Sequence, residues 1–118
     1  MDGRCQDSVA AYAKRAWGVS AIDTITGAGM DALLNDKTVH SSQPSLEWLK
    51  FEAGVSAQGH GSKHAAVVGH THCAGNPDSN EQYIQEAVRV VRNWNLFESV
   101  TGLMVKENAN SWEVAEVA

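Results

Sequence analysis

The stretch Ala65-Ala66-Val67-Val68-Gly69-His70-Thr71-His72-Cys73 decides how this chain folds and where its chemistry lies. Its apolar part, Ala65 to Gly69, shows no alternation of polar and apolar residues, which indicates a strand buried on both faces, as in a parallel sheet. His70 and Cys73 follow directly, three residues apart. Functional residues of open α/β sheets gather where the strands end, so this stretch predicts a site.

Helical and strand patterns alternate along the rest of the chain. Apolar spacing predicts four helices: Gln6–Trp17, Met30–Leu34, a range from Pro44 to Gly59, and a range whose apolar stripe runs from Ile84 to Trp94. Ser79 and Gln82 are predicted to form a capping box at the start of the fourth helix. Strands are predicted over Ala21–Thr26, Ala65–Gly69, Ser99–Val105 and Trp112–Val117, with Asp2-Gly3-Arg4 as the tail of a first strand. A loop is predicted from Asn35 to Gln43.

This order of elements predicts an α/β fold in one domain covering residues 1–118. We expect a mostly parallel sheet of about four strands plus an antiparallel C-terminal edge strand, with helices on both faces. The carboxyl ends of the parallel strands would then bring Asp2 and Arg4 to the same edge as His70 and Cys73.

The composition and charge of the chain exclude several classes of function. With 43% hydrophobic and 19% charged residues in 118, the chain is typical of a globular protein. A net charge of −5 without clustered Lys or Arg argues against a nucleic-acid partner. No apolar run is long enough for a membrane span and the N-terminus does not resemble a signal peptide, so we expect a soluble, cytoplasmic protein. Two cysteines do not form a disulfide framework in such a protein.

The residue types at this edge favour zinc. A cysteine thiolate and a neutral imidazole are good zinc ligands, and a catalytic zinc keeps one of its four positions for water, so a third protein ligand is needed. Asp2 and Arg4 stand at strand spacing and would point the same way. An arginine can hold a carboxylate in a bidentate grip, which keeps the carboxylate ionised and oriented.

The order of these motifs resembles the β-class carbonic anhydrases, whose pattern is Cys-x-Asp-x-Arg followed later by His-x-x-Cys. The segments that carry the resemblance span the whole chain: Asp2-Gly3-Arg4, Thr26-Gly27-Ala28-Gly29, Gly69 to Gly75, Val100-Thr101-Gly102-Leu103 and Trp112-Glu113-Val114. The chain is similar to a small member of that family or to a close relative.

The resemblance implies zinc held by His70 and Cys73, with Asp2 and Arg4 as a pair beside the metal. It implies reversible hydration of carbon dioxide to bicarbonate by zinc-bound hydroxide. It also implies a homodimer or a multiple of dimers. Four small residues are expected to border the substrate: Gly27, Gly29, Ala74 and Gly75.

One departure from the family pattern leaves the third ligand open. The family's first cysteine stands two residues before the aspartate, at a position that would precede Met1. The candidates are a cysteine in a preceding segment, Cys5, His72, or none. On an extended strand Cys5 would point away from Asp2, so we expect it to be a small buried hydrophobe. We expect His72 to be an exposed turn histidine.

Two other functions fit the same residues. A zinc site of this kind could hydrolyse another small electrophile, such as carbon disulfide. A metal-poor relative could instead bind bicarbonate or act in assembly without catalysis, which the missing cysteine would favour.

Overall fold

The computed structural model describes residues 2–36 and 42–118. In these ranges the helices are α1 (Gly3–Trp17), α2 (Met30–Leu34), α3 (Leu46–Gly59) and α4 (Glu81–Asn93), and the strands are β1 (His64–His70), β2 (Ser99–Asn108) and β3 (Ser111–Glu116). The four predicted helices are confirmed with small shifts at their starts. The middle of the predicted Asn35–Gln43 loop, with His40, lies outside the described residues. None of the described helices has the length and apolar content needed to cross a bilayer.

The sheet is mixed and has the order β1-β2-β3. β1 pairs with β2 in parallel, from His64 opposite Ser99 to His70 opposite Val105. β3 pairs antiparallel with β2, so the predicted C-terminal hairpin is confirmed. The expected sheet of about four mostly parallel strands is wrong in number: the described residues form three strands and one parallel pair.

Residues 21–26, predicted as a strand, pair with no strand of the described chain. The segment is fastened to α3 instead, because Asp23 Oδ2 accepts a hydrogen bond from Ser56 Oγ at 2.7 Å and lies 2.6 Å from His60 Nδ1. Among the strands that the structure describes, β1 therefore pairs with β2 alone. Burial on both faces is not observed for this strand, since only Val67 and Gly69 are fully buried.

Asp2 to Arg4 is not the tail of a strand. Asp2 is the N-cap of α1, with φ −67° and ψ 115°, and its side chain accepts the backbone N–H of Arg4. Aspartate is among the preferred N-cap residues, so the helix starts earlier than its apolar stripe suggests.

The predicted capping box of α4 is also corrected. Asn80 caps that helix, because its side-chain oxygen accepts the N–H groups of Gln82 and Tyr83. Asparagine competes well with serine for this position. The Ser79 hydroxyl is directed elsewhere, towards α2.

α4 covers one face of the sheet through Ile84, which has no exposed surface. Gly69 and Gly102 make room for it, since a Cβ on either residue would collide with the Ile84 side chain. Neighbouring strand residues point to opposite faces, so His70 lies on the other side from Gly69. α1 lies on that other face, in contact with β3, so helices pack on both faces as predicted.

Two contacts of α1, eight residues apart, define its direction along β3. The Arg4 guanidinium lies over the Trp112 ring, and Tyr12 Oη donates a hydrogen bond to Glu116 Oε2 at 3.2 Å. Eight residues of helix rise about 12 Å, and four residues of strand cover about 13 Å. The two spacings match, so α1 runs beside β3 and its N-terminus is set at the edge of the sheet that holds His70.

Two glycines give contrasting tests of this packing. Gly29 has φ +66° and a Cβ there would press into the backbone of Gly75, whereas a Cβ on Gly54, inside α3, would meet nothing within 4 Å. We expect Gly29→Ala to lower the free energy of unfolding by about 1–3 kcal/mol through left-handed strain and collision. Gly54→Ala should raise it by about 0.5–1 kcal/mol through helix propensity. Urea unfolding measures both, and equal stability of Gly29→Ala and wild type would contradict the close approach.

Candidate metal centre

The Asp2 carboxylate and the Arg4 guanidinium form a bidentate pair at the start of α1. Arg4 Nε donates to Asp2 Oδ1 at 3.0 Å and to Oδ2 at 3.1 Å, and Arg4 Nη2 donates to Oδ2 at 2.5 Å. The backbone N–H of Arg4 donates to Oδ1 at 2.9 Å. These hydrogen bonds, the side-chain ones first, hold the pKa of Asp2 well below its usual range. Protonation would therefore break this pair only in strongly acidic solution.

His70, the last residue of β1, presents its ring to this pair. Its Nδ1 lies 2.8 Å from the carbonyl oxygen of Thr71 and 3.9 Å from Asp2 Oδ2. A carbonyl can only accept a hydrogen bond, so we infer that Nδ1 carries the proton of the neutral ring and Nε2 carries the lone pair. A ring oriented in this way by a backbone carbonyl is a common arrangement for a metal-binding histidine.

Cys5 joins the same cluster, against the expectation that it would point away from Asp2. In a helix, residues three apart lie on one side, so the Cys5 side chain turns back towards the Asp2 cap. Ligand atoms of Asp2, Cys5 and His70 all lie within 4.8 Å of one another. The burial expected for Cys5 is confirmed, at 4% exposure. Burial raises the pKa of its thiol, and the negative charge of Asp2 adds to the increase.

The structure places Cys73 beside this cluster but not in it. Cys73 is half-buried and follows a turn at Thr71 and His72, where His72 has a φ of 58°. It is close enough to Cys5 to contribute to the raised pKa of that thiol. His72 is the exposed turn histidine that the sequence predicts, with 73% of its side chain exposed and Nε2 3.9 Å from Glu107.

The glycine-rich loop after residue 26 packs directly on the loop that carries Cys73. A Cβ on Gly75 would press into the backbone of Ala28 and Gly29, so the two loops touch main chain to main chain. Gly29 is buried in this contact, while Ala74 is exposed and Gly27 and Gly75 are partly exposed. Their expected place beside a substrate stays a prediction.

Asp31 is a buried residue of this region that the sequence patterns did not reveal. Its Oδ2 accepts a hydrogen bond from Ser79 Oγ at 2.5 Å and another from Asn76 Nδ2 at 3.1 Å. Its Oδ1 accepts the N–H of Ala32. These bonds attach the loop after Cys73 to α2. The position of Asp31 in the otherwise apolar run Met30–Leu34 is the one sequence feature that could have indicated a buried, hydrogen-bonded carboxylate.

The donors gathered here are a thiol, an imidazole and a carboxylate, with a second thiol nearby. All three types are ligands of zinc in proteins. Within the parts of the chain that the structure describes, no other group of three such residues comes together. The candidate metal ligands Asp2, Cys5 and His70 thus converge at the edge of the sheet that the motifs predicted.

Residues 1–118 match the family described as Putative carbonic anhydrase. No curated protein and no solved structure matches the chain. The family match covers every segment on which the resemblance was based. The chain therefore belongs to this carbonic anhydrase family, as the order of its motifs predicted.

Proposed function

We propose that the chain catalyses the zinc-dependent, reversible hydration of carbon dioxide to bicarbonate. The observation that carries this proposal is the convergence of the Asp2–Arg4 pair on His70, with Asp2 Oδ2 3.9 Å from the His70 ring. An oriented carboxylate beside a metal-binding imidazole is the arrangement that this reaction needs. Membership of the carbonic anhydrase family supports the same reaction.

The donor set fits zinc. Ligand atoms of a tetrahedral zinc with one sulfur and one nitrogen lie about 3.5 Å apart. The ligand atoms of Cys5 and His70 lie within 4.8 Å of each other, so small side-chain movements would bring both to one ion, and Cys73 lies beside them. We propose His70, Cys73 and Cys5 as the protein ligands. Asp2 is already engaged with Arg4 through both of its oxygens.

Zinc, when bound, supplies a water nucleophile that is active near neutral pH. The protein's own groups direct that nucleophile. Asp2 accepts a hydrogen bond from the attacking water and thereby turns an oxygen lone pair towards the carbon of carbon dioxide. Arg4 keeps Asp2 ionised and fixed, because three of its N–H groups bind the carboxylate. The Thr71 carbonyl holds the His70 ring in its orientation.

Three finer points of the proposal go beyond the family match. The physiological substrate is carbon dioxide rather than another small electrophile such as carbon disulfide, the protein works in the cytoplasm, and it assembles as a homodimer or a multiple of dimers. Sedimentation of the purified chain would test the last point directly, and relative rates with the two substrates would test the first.

Metal binding is the first test. We expect about one zinc per chain, measured by metal analysis and calorimetry. His70→Ala and Cys73→Ser should each weaken zinc binding by at least about tenfold, because each removes a ligand. His60→Gln is the matched control: it changes a histidine that binds Asp23, away from the cluster, and should leave the affinity unchanged.

A comparison of Cys5→Ser with His72→Ala distinguishes the two candidates for the third zinc ligand. Loss of zinc affinity in Cys5→Ser with full retention in His72→Ala would identify Cys5 as the third ligand. The wild-type chain binding no zinc, or His70→Ala binding it as well as wild type does, would contradict the proposed centre.

The role of Asp2 is tested by Asp2→Asn. Asparagine caps helices as well as aspartate does, so the fold should be kept. Its amide cannot give the carboxylate's charge, and we expect kcat/KM for carbon dioxide hydration to fall by roughly 10- to 100-fold in stopped-flow assays. Asp7→Asn changes an exposed acid of the same helix and should keep full activity. Undiminished activity in Asp2→Asn would remove Asp2 from its proposed role.

A further inference from the structure

Trp112 of β3 contacts two members of the candidate centre at once. The guanidinium carbon of Arg4 lies 4.8 Å from the centroid of the Trp112 ring, in cation–π geometry. The His70 ring lies at 6.4 Å between centroids, with an angle of 75° between the ring planes. This edge-to-face arrangement is one that aromatic rings prefer.

Strand register brings Trp112 to this place. Trp112 is opposite Glu107 in the β2–β3 hairpin, and Val105, two residues earlier on β2, is opposite His70 on β1. Residues two apart on a strand share a face, so Trp112 and His70 project from the same side of the sheet. That side is the one along which α1 runs, with Arg4 in its first turn.

The surroundings of Trp112 do not match those of a core tryptophan. It is half-buried and does not belong to the buried apolar cluster built around Ile84 and Val88. Its ring lies against a cation and an imidazole. Another tryptophan, Trp94, does pack against the apolar cluster.

Arg4 needs such a support. More than half of its side chain, 55%, is exposed, and a long arginine side chain in water has many rotamers. Its Nε and Nη2 edge binds Asp2, which leaves the face of the guanidinium for the Trp112 ring. The hydrogen bonds to Asp2 and the contact with the ring together reduce the number of orientations open to the guanidinium.

We propose that Trp112 is a positioning residue: its ring holds the Arg4 guanidinium against Asp2 and restrains the His70 ring. The proposal deepens the proposed function and rests on it for its catalytic consequence. Trp112 does not touch the reacting atoms. It acts through Arg4 and His70, so a hairpin at the far edge of the sheet contributes to the geometry of the centre.

The test uses the metal-free protein, so that it does not depend on zinc or on activity. The Arg4 Nε–H group is observed by NMR, and its exchange with water is measured in wild type, Trp112→Leu and Trp112→Phe. We expect exchange to be about two- to fivefold faster in Trp112→Leu, the factor that corresponds to an exposed cation–π contact. Trp112→Phe, which keeps an aromatic face, should restore slow exchange. Val114→Ala, on the same strand and face, is the control and should leave exchange unchanged.

Two further measurements complete the test. In wild type, the Trp112 ring should shift the Arg4 Cδ proton signals upfield, a result that needs no variant to fold. In the zinc-loaded protein, kcat/KM for carbon dioxide should fall about two- to tenfold in Trp112→Leu and recover in Trp112→Phe.

The outcomes separate the two proposals. Unshifted Arg4 Cδ signals, or unchanged exchange in Trp112→Leu, would overturn the role of Trp112 whatever the activity. Wild type that binds no zinc would overturn the proposed function while the exchange measurement still decides whether Trp112 holds Arg4.

Discussion

The hydrogen-bonded pair of Asp2 and Arg4 is the interaction on which the rest of the centre depends. One carboxylate does two things there: it caps the first turn of α1 through the Arg4 N–H, and it accepts the Arg4 guanidinium through both oxygens. The positive end of the helix dipole stabilises the same negative charge. The hydrogen bonds that start α1 therefore also position the residues of the site. A change that displaces the Asp2 cap would also displace Arg4 and Cys5.

The sheet supplies the other half of the centre by bringing His70 to a defined point. Gly69 and Gly102 leave room for Ile84, so α4 packs closely on one face of β1 and β2. With that face filled, the alternation of side chains turns His70 to the opposite face, where the N-terminus of α1 lies. The packing of Ile84 on Gly69 and Gly102 thus fixes the side of the sheet on which His70 lies, although His70 is not part of the apolar core.

Much of this arrangement could be predicted from the sequence because its signals are local. The non-alternating run before His70, the apolar stripe of α4 and the alternation in β3 each predict an element that is observed. The order of Asp2, Arg4, His70 and Cys73 predicted the family, and the family match agrees. Those residues were also predicted to meet at one edge of the sheet, and three of them do.

The remaining features could not be predicted because the same sequence pattern fits more than one local structure. Asp2-Gly3-Arg4 fits the end of a strand as well as the cap of a helix. The strand prediction implied that the Cys5 side chain points away from Asp2, whereas in the helix it points towards Asp2. The run from residue 21 to residue 26 has β-forming residues, but strand pairing needs a neighbour, and the side chain of Asp23 binds α3 instead. Contacts between distant loops, such as that of Asp31 with Ser79, leave no periodic signal at all.

The central claim is that cysteine and histidine side chains at the start of α1 and the end of β1 bind one zinc ion. X-ray absorption at the zinc edge of the zinc-loaded wild-type protein tests it most directly, because sulfur and imidazole scatterers are distinguishable by distance, at about 2.3 Å and about 2.0 Å. Binding by Cys5, Cys73 and His70 predicts two sulfur scatterers and one imidazole. A zinc ion surrounded by oxygen and nitrogen alone would contradict the account.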